Sequence, residues 1–111
     1  MYAQKTVIRA PMGMAPELRE IIGKKYLPVV RSRPGFIAAY LLEQIDDADA
    51  CELIQFWDNQ AAVENFNRTG MLQASLQSIA ADMPGVRLER QGYIIRVALG
   101  ALPVAEALAS V

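Results

Sequence analysis

The stretch from Phe36 to Ile45 constrains this chain more than any other. Read as a strand, it places Phe36, Ala38, Tyr40 and Leu42 on one face, and Ile37, Ala39, Leu41 and Ile45 on the other. A strand with one face in water alternates apolar with polar residues. This one needs cover on both faces. The chain has 111 residues, the size of one domain, and 53% of them are hydrophobic. That is more apolar material than one small core uses, and it points to a subunit interface. A membrane span would need about 18 apolar residues in a row. The uncharged stretches here are broken by Pro, Gly, Gln or Asn, so no membrane partner is expected.

The flanking segments supply the rest of a sheet and its helices. Tyr2 to Ala10 is rich in β-formers and ends at the turn signal Pro11-Met12-Gly13. Ala15-Pro16-Glu17 opens a helix, with proline at its first turn and an acid near the positive end of the dipole. Leu18, Ile21, Ile22, Tyr26 and Val29 carry that helix to about Val30, before Arg33-Pro34-Gly35. Asp46 to Asp49 reads as a turn, with a third strand from Cys51 to Asp58 forming a hairpin with the second. Asp58 or Asn59 caps a second helix with Ala62, Val63 and Phe66 on its apolar face. Thr69-Gly70 interrupts it, and Leu72, Leu76, Ile79 and Met83 continue in helical spacing to Pro84-Gly85. Val86 to Ala98 is the fourth strand.

The order β-α-β-β-α-β predicts an α+β, ferredoxin-like subunit: a four-stranded antiparallel sheet with helices on one face. A second copy of the sheet would cover the other face as a two-fold homodimer. The expected domain spans residues 1–99. Residues 100–111 form a small-residue tail with apolar residues at helical spacing, suited to clasp a partner subunit or to fray.

Three counts exclude whole classes of function. The chain has no histidine, which removes Ser-His-Asp and Cys-His catalysis, His-ligated haem and His-containing metal sites. Its one cysteine, Cys51, makes no internal disulfide and no metal or iron–sulfur cluster. The formal net charge of −1 and the lack of a basic run argue against a nucleic-acid partner. No signal-peptide pattern opens the N-terminus, and a cytoplasmic location is expected.

The segment Pro34-Gly35-Phe36, the strand it opens, and Leu53-Ile54-Gln55-Phe56-Trp57-Asp58-Asn59-Gln60-Ala61-Ala62-Val63-Glu64-Asn65-Phe66 resemble the antibiotic biosynthesis monooxygenase (ABM) family. The resemblance covers roughly Ala3 to Ala98. It implies a dimeric α+β barrel, in which two sheets pack face to face across the two-fold axis. It also implies a small-molecule site, with activities that include cofactor-free monooxygenation of quinols and aromatic polyketides. The family's haem-degrading branch uses an Asn, a Trp and a haem-ligating His. Those positions correspond here to Thr6, Phe66 and Leu76, so haem degradation by that route is not expected, and no cofactor or metal is.

A cofactor-free oxygenase needs a dry pocket that binds an oxidisable aromatic and stabilises its anion. No catalytic residue can be assigned from sequence. The candidates for binding a small aromatic ligand each have a plainer reading. Trp57 and Phe66 form either an aromatic wall or core packing between the same elements. Asn65 either bonds a ligand carbonyl or is solvated. Tyr40, and with it Tyr93, either exchanges a proton with a phenol or packs at an interface. Arg9 and Arg96, near the ends of neighbouring strands, either hold a phenolate together or pair with strand carboxylates. Arg87, Arg90 and Glu89 read as surface charge. Met12 and Met14 suit a pliable lip or a plug. The rival reading of the whole chain is a non-catalytic dimeric module that binds a small ligand or a partner protein.

Overall fold

The computed structural model describes residues 1–100, apart from the side chains of Met71 and Leu72. The elements are β1 (Tyr2–Arg9), α1 (Ala15–Ile21), a π-helical turn (Ile22–Tyr26), α2 (Leu27–Arg31), β2 (Phe36–Gln44), β3 (Asp47–Trp57), α3 (Gln60–Arg68), α4 (Met71–Asp82) and β4 (Arg87–Ile94). The strands form one antiparallel sheet in the order β2-β3-β1-β4. This is the expected ferredoxin-like α+β subunit. The expected tail falls outside the described residues beyond Gly100.

All helices among the described residues lie on one face of the sheet, the inner face. Buried Leu18, Ile22, Tyr26 and Val30 meet buried Ile8, Cys51, Leu53 and Trp57 there. Val63 and Phe66 from α3, with Ile79 and Met83 beyond it, close the core. Asn59 caps α3, its Oδ1 accepting from Ala62 N at 2.9 Å. Gly70, at φ +74°, makes the left-handed joint between α3 and α4.

The structure corrects four details of the sequence reading. First, α1, the π turn and α2 form one continuous helical run rather than a uniform α-helix. Leu27 N donates to Ile22 O, five residues back, just ahead of Pro28. Proline has no N–H and its ring crowds the carbonyl four residues earlier. A widened turn accommodates both. Second, the hairpin turn is Ile45-Asp46, and Asp47 already pairs with Gln44. Asp47 and Asp49 are strand residues whose charges find partners: Arg9 bonds Asp47, and Gly13 N donates to Asp49 Oδ2 at 3.0 Å.

Third, β2 carries a bulge. Phe36 faces Trp57, but Ala38 faces Phe56, so Ile37 is an extra residue. The bulge moves Phe36 to the inner face with Ala39 and Leu41 and leaves Ala38, Tyr40 and Leu42 on the outer face. Both faces of β2 are therefore apolar, as its sequence required, but with a different division. Fourth, β4 ends at Ile94 rather than Ala98. Among the described residues it is an edge strand bonded only to β1, and Ile95 N to Met1 O is the last bond that β1 can offer.

Candidate functional site

Residues directly paired across antiparallel strands share a face. The register therefore fixes the rows of the inner face. Phe36, Trp57, Tyr2 and Ile94 form one row, and Ala39, Gln55, Gln4 and Gly92 the next. Leu41, Leu53, Thr6 and Arg90 follow, and then Glu43, Cys51, Ile8 and Leu88. The two middle rows are unusual. They set Gln4, Thr6 and Gln55, all buried, inside an otherwise apolar layer.

Buried polar atoms ordinarily have partners, and each one left bare costs about 1–3 kcal/mol. Gln55 Nε2 donates to the Tyr26 hydroxyl at 2.5 Å. Gln4 Oε1, Gln55 Oε1 and Trp57 Nε1 have no partner within the protein. Two acceptors and one donor thus lie unused on adjacent rows, beside an aromatic cluster. The Trp57 ring lies 5.5 Å from Phe66, tilted by 31°, and 5.7 Å from Phe36, edge-on.

Tyr26 is delivered into this layer by the π-helical turn. Burial pushes its phenol up to about 12, against smaller lowering effects from the Gln55 hydrogen bond and the charge of Arg90. Tyr26 is therefore a neutral phenol at physiological pH. It can donate to a developing anion but is no base there. β4 is exposed along almost its whole length, whereas its inner-face neighbours Gln4, Thr6 and Ile8 on β1 are buried. Trp57, Phe66, Gln55 and Tyr26 are packed together at 0–1% exposure, whereas a cavity of about 430 Å³ lies elsewhere on the sheet, at Arg9, Leu42, Gln44 and Glu52. Among the described residues, no group of three or more His, Cys, Asp or Glu is placed to hold a metal ion. No helix among them is long and apolar enough to cross a membrane.

Of the candidates named from sequence, the structure brings Trp57 and Phe66 into contact in the core. It does not gather the others with them. Tyr40 lies on the outer face, opposite Ile54 and edge-on to Phe56. Tyr93 is also on that face, opposite Ala3. Asn65 sits on the exposed side of α3. Arg9 and Arg96 are at opposite ends of the sheet: Arg9 pairs with Arg87, whereas Arg96 follows the end of β4 beside Met1. Neighbouring antiparallel strands bring opposite ends together, so these two arginines cannot clasp one ligand. Arg9 instead pairs with Asp47. At the positions related to the haem-degrading set, Thr6 and Phe66 are buried and Leu76 packs against the core.

Gln4, Gln55, Tyr26 and Arg90 were not among those candidates. The alternation of β3 held the signal. Cys51, Leu53 and Trp57 mark its buried face, and Gln55 falls on that face by the same step of two. A glutamine at an apolar phase is a buried polar group in search of a partner. Arg90 needed the strand register, because its neighbours Arg87 and Glu89 made it look like one more surface charge.

The family model for antibiotic biosynthesis monooxygenase matches residues 1–78. Solved structures share the fold at low identity. A Deinococcus radiodurans protein named as an antibiotic biosynthesis monooxygenase aligns with TM-score 0.75 at 15% identity, over 93% of this chain and 100% of its own. SnoaB, a cofactor-independent oxygenase from Streptomyces nogalater, aligns with TM-score 0.71 at 17% identity, over 90% and 98%. MhuD, solved as a variant with two manganese protoporphyrin IX molecules per active site, aligns with TM-score 0.67 at 16% identity, over 91% and 100%. A search of curated proteins finds no match.

Proposed function

The chain belongs to the antibiotic biosynthesis monooxygenase family, and from that membership we propose that it is a cofactor-independent monooxygenase of a quinol or similar electron-rich phenol. The observation that carries this reading is the buried polar layer of Gln4, Gln55 and Tyr26 beside the Trp57–Phe66 pair, with its unused hydrogen-bonding atoms. The named activity of SnoaB, a structural neighbour, points the same way.

The chemistry asks little of the protein. A hydroquinone can supply all the electrons that dioxygen needs. The ring loses two hydrogens and gains one oxygen atom, and the second oxygen leaves as water, giving a hydroxyquinone. Loss of a phenolic proton starts the sequence. The site would stabilise the resulting phenolate through the Tyr26 hydroxyl and the Trp57 N–H, in a layer where water does not compete. Gln4 Oε1 and Gln55 Oε1 would accept from a hydroxyl that stays protonated. Oxygen uptake over a panel of hydroquinones tests this. Uptake should exceed the uncatalysed rate, and Tyr26→Phe should lower kcat/KM about tenfold, the worth of one hydrogen bond. Uptake at the background rate across the panel would refute the oxygenase reading.

The same reading includes a homodimer through the outer face of the sheet and a reducing cytoplasm, where buried Cys51 stays a thiol. One observation favours the rival, a non-catalytic dimeric module for a small ligand. Gln4, Thr6, Gln55 and Trp57 do not titrate, and Tyr26 stays protonated, so the layer offers no base of its own. Native mass spectrometry showing a carried aromatic, together with no turnover of it, would favour that module.

A further inference from the structure

The cavity of about 430 Å³ lies on the outer face of the sheet, near the end where β2 turns into β3. Its cause is in the register. Glu43 faces Cys51, but the next residue, Gln44, faces Asp47, so Ala48, Asp49 and Ala50 are extra on β3. The regular ladder breaks there, and the hollow lies over the break. Val7, Leu42 and Ala50 supply its apolar side chains, and Arg9, Gln44 and Glu52 its polar ones.

The register also sorts the charges around this hollow into two rows. Arg9 lies between Ala50 and Arg87, and in the next row Val7 lies between Glu52 and Glu89. Two arginines thus stand directly opposite each other, a pairing that costs stability in a sheet. The glutamate row runs beside them, two residues along each strand, at about 7 Å. Arg9 donates to Asp47 through Nη1. A guanidinium has five N–H donors, so others remain for a second acceptor. Glu52 faces Lys5 at 3.7 Å, beyond hydrogen-bonding reach. Arg87 and Glu89 enter no ion pair among the described residues.

We infer that this cavity binds a free α-amino acid with an apolar side chain, its carboxylate on Arg9, its ammonium on Glu52 and its side chain against Val7 and Leu42. A cationic row, an anionic row and an apolar floor match the three parts of such a molecule. A simple anion or cation would meet one matching row and one opposing row. Arg9 and Glu52 are diagonal neighbours with long side chains, and the gap between their rows suits two charge-assisted hydrogen bonds of about 2.8 Å to the two ends of a short zwitterion. The site is on the opposite face of the sheet from Tyr26 and the buried polar layer, so it goes beyond the proposed reaction and does not depend on it. The outer face is also the proposed seam between two subunits. A flat second sheet would span this hollow rather than fill it, so ligand and dimer can coexist.

Titration of the ¹⁵N-labelled full chain, followed by NMR, tests it with four probes. Leucine has all three parts, leucinamide lacks the carboxylate, 4-methylpentanoate lacks the ammonium and glycine lacks the side chain. Leucine should bind with a Kd below about 1 mM and shift the amides of Val7, Ala50 and Glu52. Each of the other three should bind at least about tenfold more weakly, the worth of one charged hydrogen bond or of a buried apolar side chain. Arg9→Gln should bring leucine down to the affinity of leucinamide, and Glu52→Gln down to that of 4-methylpentanoate. Both side chains are half-exposed, and circular dichroism should show the variants folded. Equal binding of the four probes, shifts confined to the inner face, or a leucine affinity that survives both substitutions would overturn the inference. So would absence of leucine binding by a chain that sediments as a dimer, which would give the cavity to the second copy. Leucine binding with no oxygen uptake on hydroquinones upholds the inference and removes only the oxygenase reading.

Discussion

Gly35 shows how closely single residues are set. Its φ is +82°, and a Cβ placed there would come within 2.5 Å of the Ala62 Cβ on α3. Its carbonyl also accepts from Asp58 N at 2.8 Å, where the chain turns from β3 into α3. Alanine would add left-handed strain of about 1–2 kcal/mol and overpacking of about 1–3 kcal/mol. Gly35→Ala should therefore destabilise by about 2–5 kcal/mol in urea unfolding. Ala62→Gly should recover the overpacking part in a double-mutant cycle, with coupling of at least about 1 kcal/mol. Coupling near zero would mean that the two positions do not press on each other. Tyr26 makes a second prediction at this scale. Its folded pKa, about 12, lies above the ordinary tyrosine value of 10. Between those values the unfolded chain releases the proton that the folded chain keeps. The contribution of Tyr26 is therefore complete below about pH 10 and is lost as pH rises towards 12, by at most about 2–3 kcal/mol. Tyr26→Phe should flatten that part of the stability profile. Such single-residue roles were only partly readable from sequence. Trp57 and Phe66 stood out by size, whereas Gln55 announced itself only through the phase of β3.

At the scale of elements, spacing and punctuation revealed the order of strands and helices, and two one-residue insertions escaped them. Ile37 is the extra residue of the β2 bulge, and the π turn widens the helical run before Pro28. An insertion changes neither composition nor hydropathy. A fixed period of two or 3.6 simply runs out of phase beyond it. The π turn did leave a trace: Leu18, Ile22, Tyr26 and Val30 recur at steps of four and are all buried. In a regular helix, steps of four drift by about 40° each, and the wider turn absorbs the drift. Deleting Gly23 would convert the steps to four, three and four, which suit a regular helix. That helix would then crowd Pro28, at about 3 kcal/mol. The deletion combined with Pro28→Ala should therefore fold, with stability within about 1 kcal/mol of the parent in thermal unfolding. The deletion alone should be less stable by about 3 kcal/mol. Deleting Gln77 in α4 should unfold the chain, because it swings Ile79 or the preceding turn off the core by about 100°. Equal loss from both deletions would mean that packing, not an inserted residue, widens the turn.

For the whole molecule, the open question set by β2 is what covers its outer face. Ala38, Tyr40 and Leu42 lie there beside Ile54 and Phe56 of β3 and Ala3 and Val7 of β1. Leu42 is 46% exposed and Val7 36%. Helices cover the inner face, so an outer face this apolar argues for a second sheet packed against it. One ion pair crosses the patch, Lys5 to Glu52 at 3.7 Å, with the Lys5 ammonium 5.7 Å from the Tyr93 ring centre. Such a pair can set the alignment of two copies, because a misplaced charge in an apolar seam costs more than it returns. Leu42→Arg separates the dimer from the fold. In one subunit the new guanidinium stands opposite Glu52 and reaches water, so the subunit should keep its circular dichroism and lose less than about 1 kcal/mol. Across a two-fold seam the same charge is buried twice. Sedimentation velocity should show the parent at twice the subunit mass and the variant at the subunit mass under the same micromolar conditions. A parent chain that sediments as a monomer would return the apolar outer face to the list of unexplained surfaces. A variant that still dimerises would move the seam to the exposed edge of β4. If dissociation also abolishes ligand binding at the inner face, the two faces of the sheet are coupled through β1, the strand that carries Val7 outward and Gln4 inward.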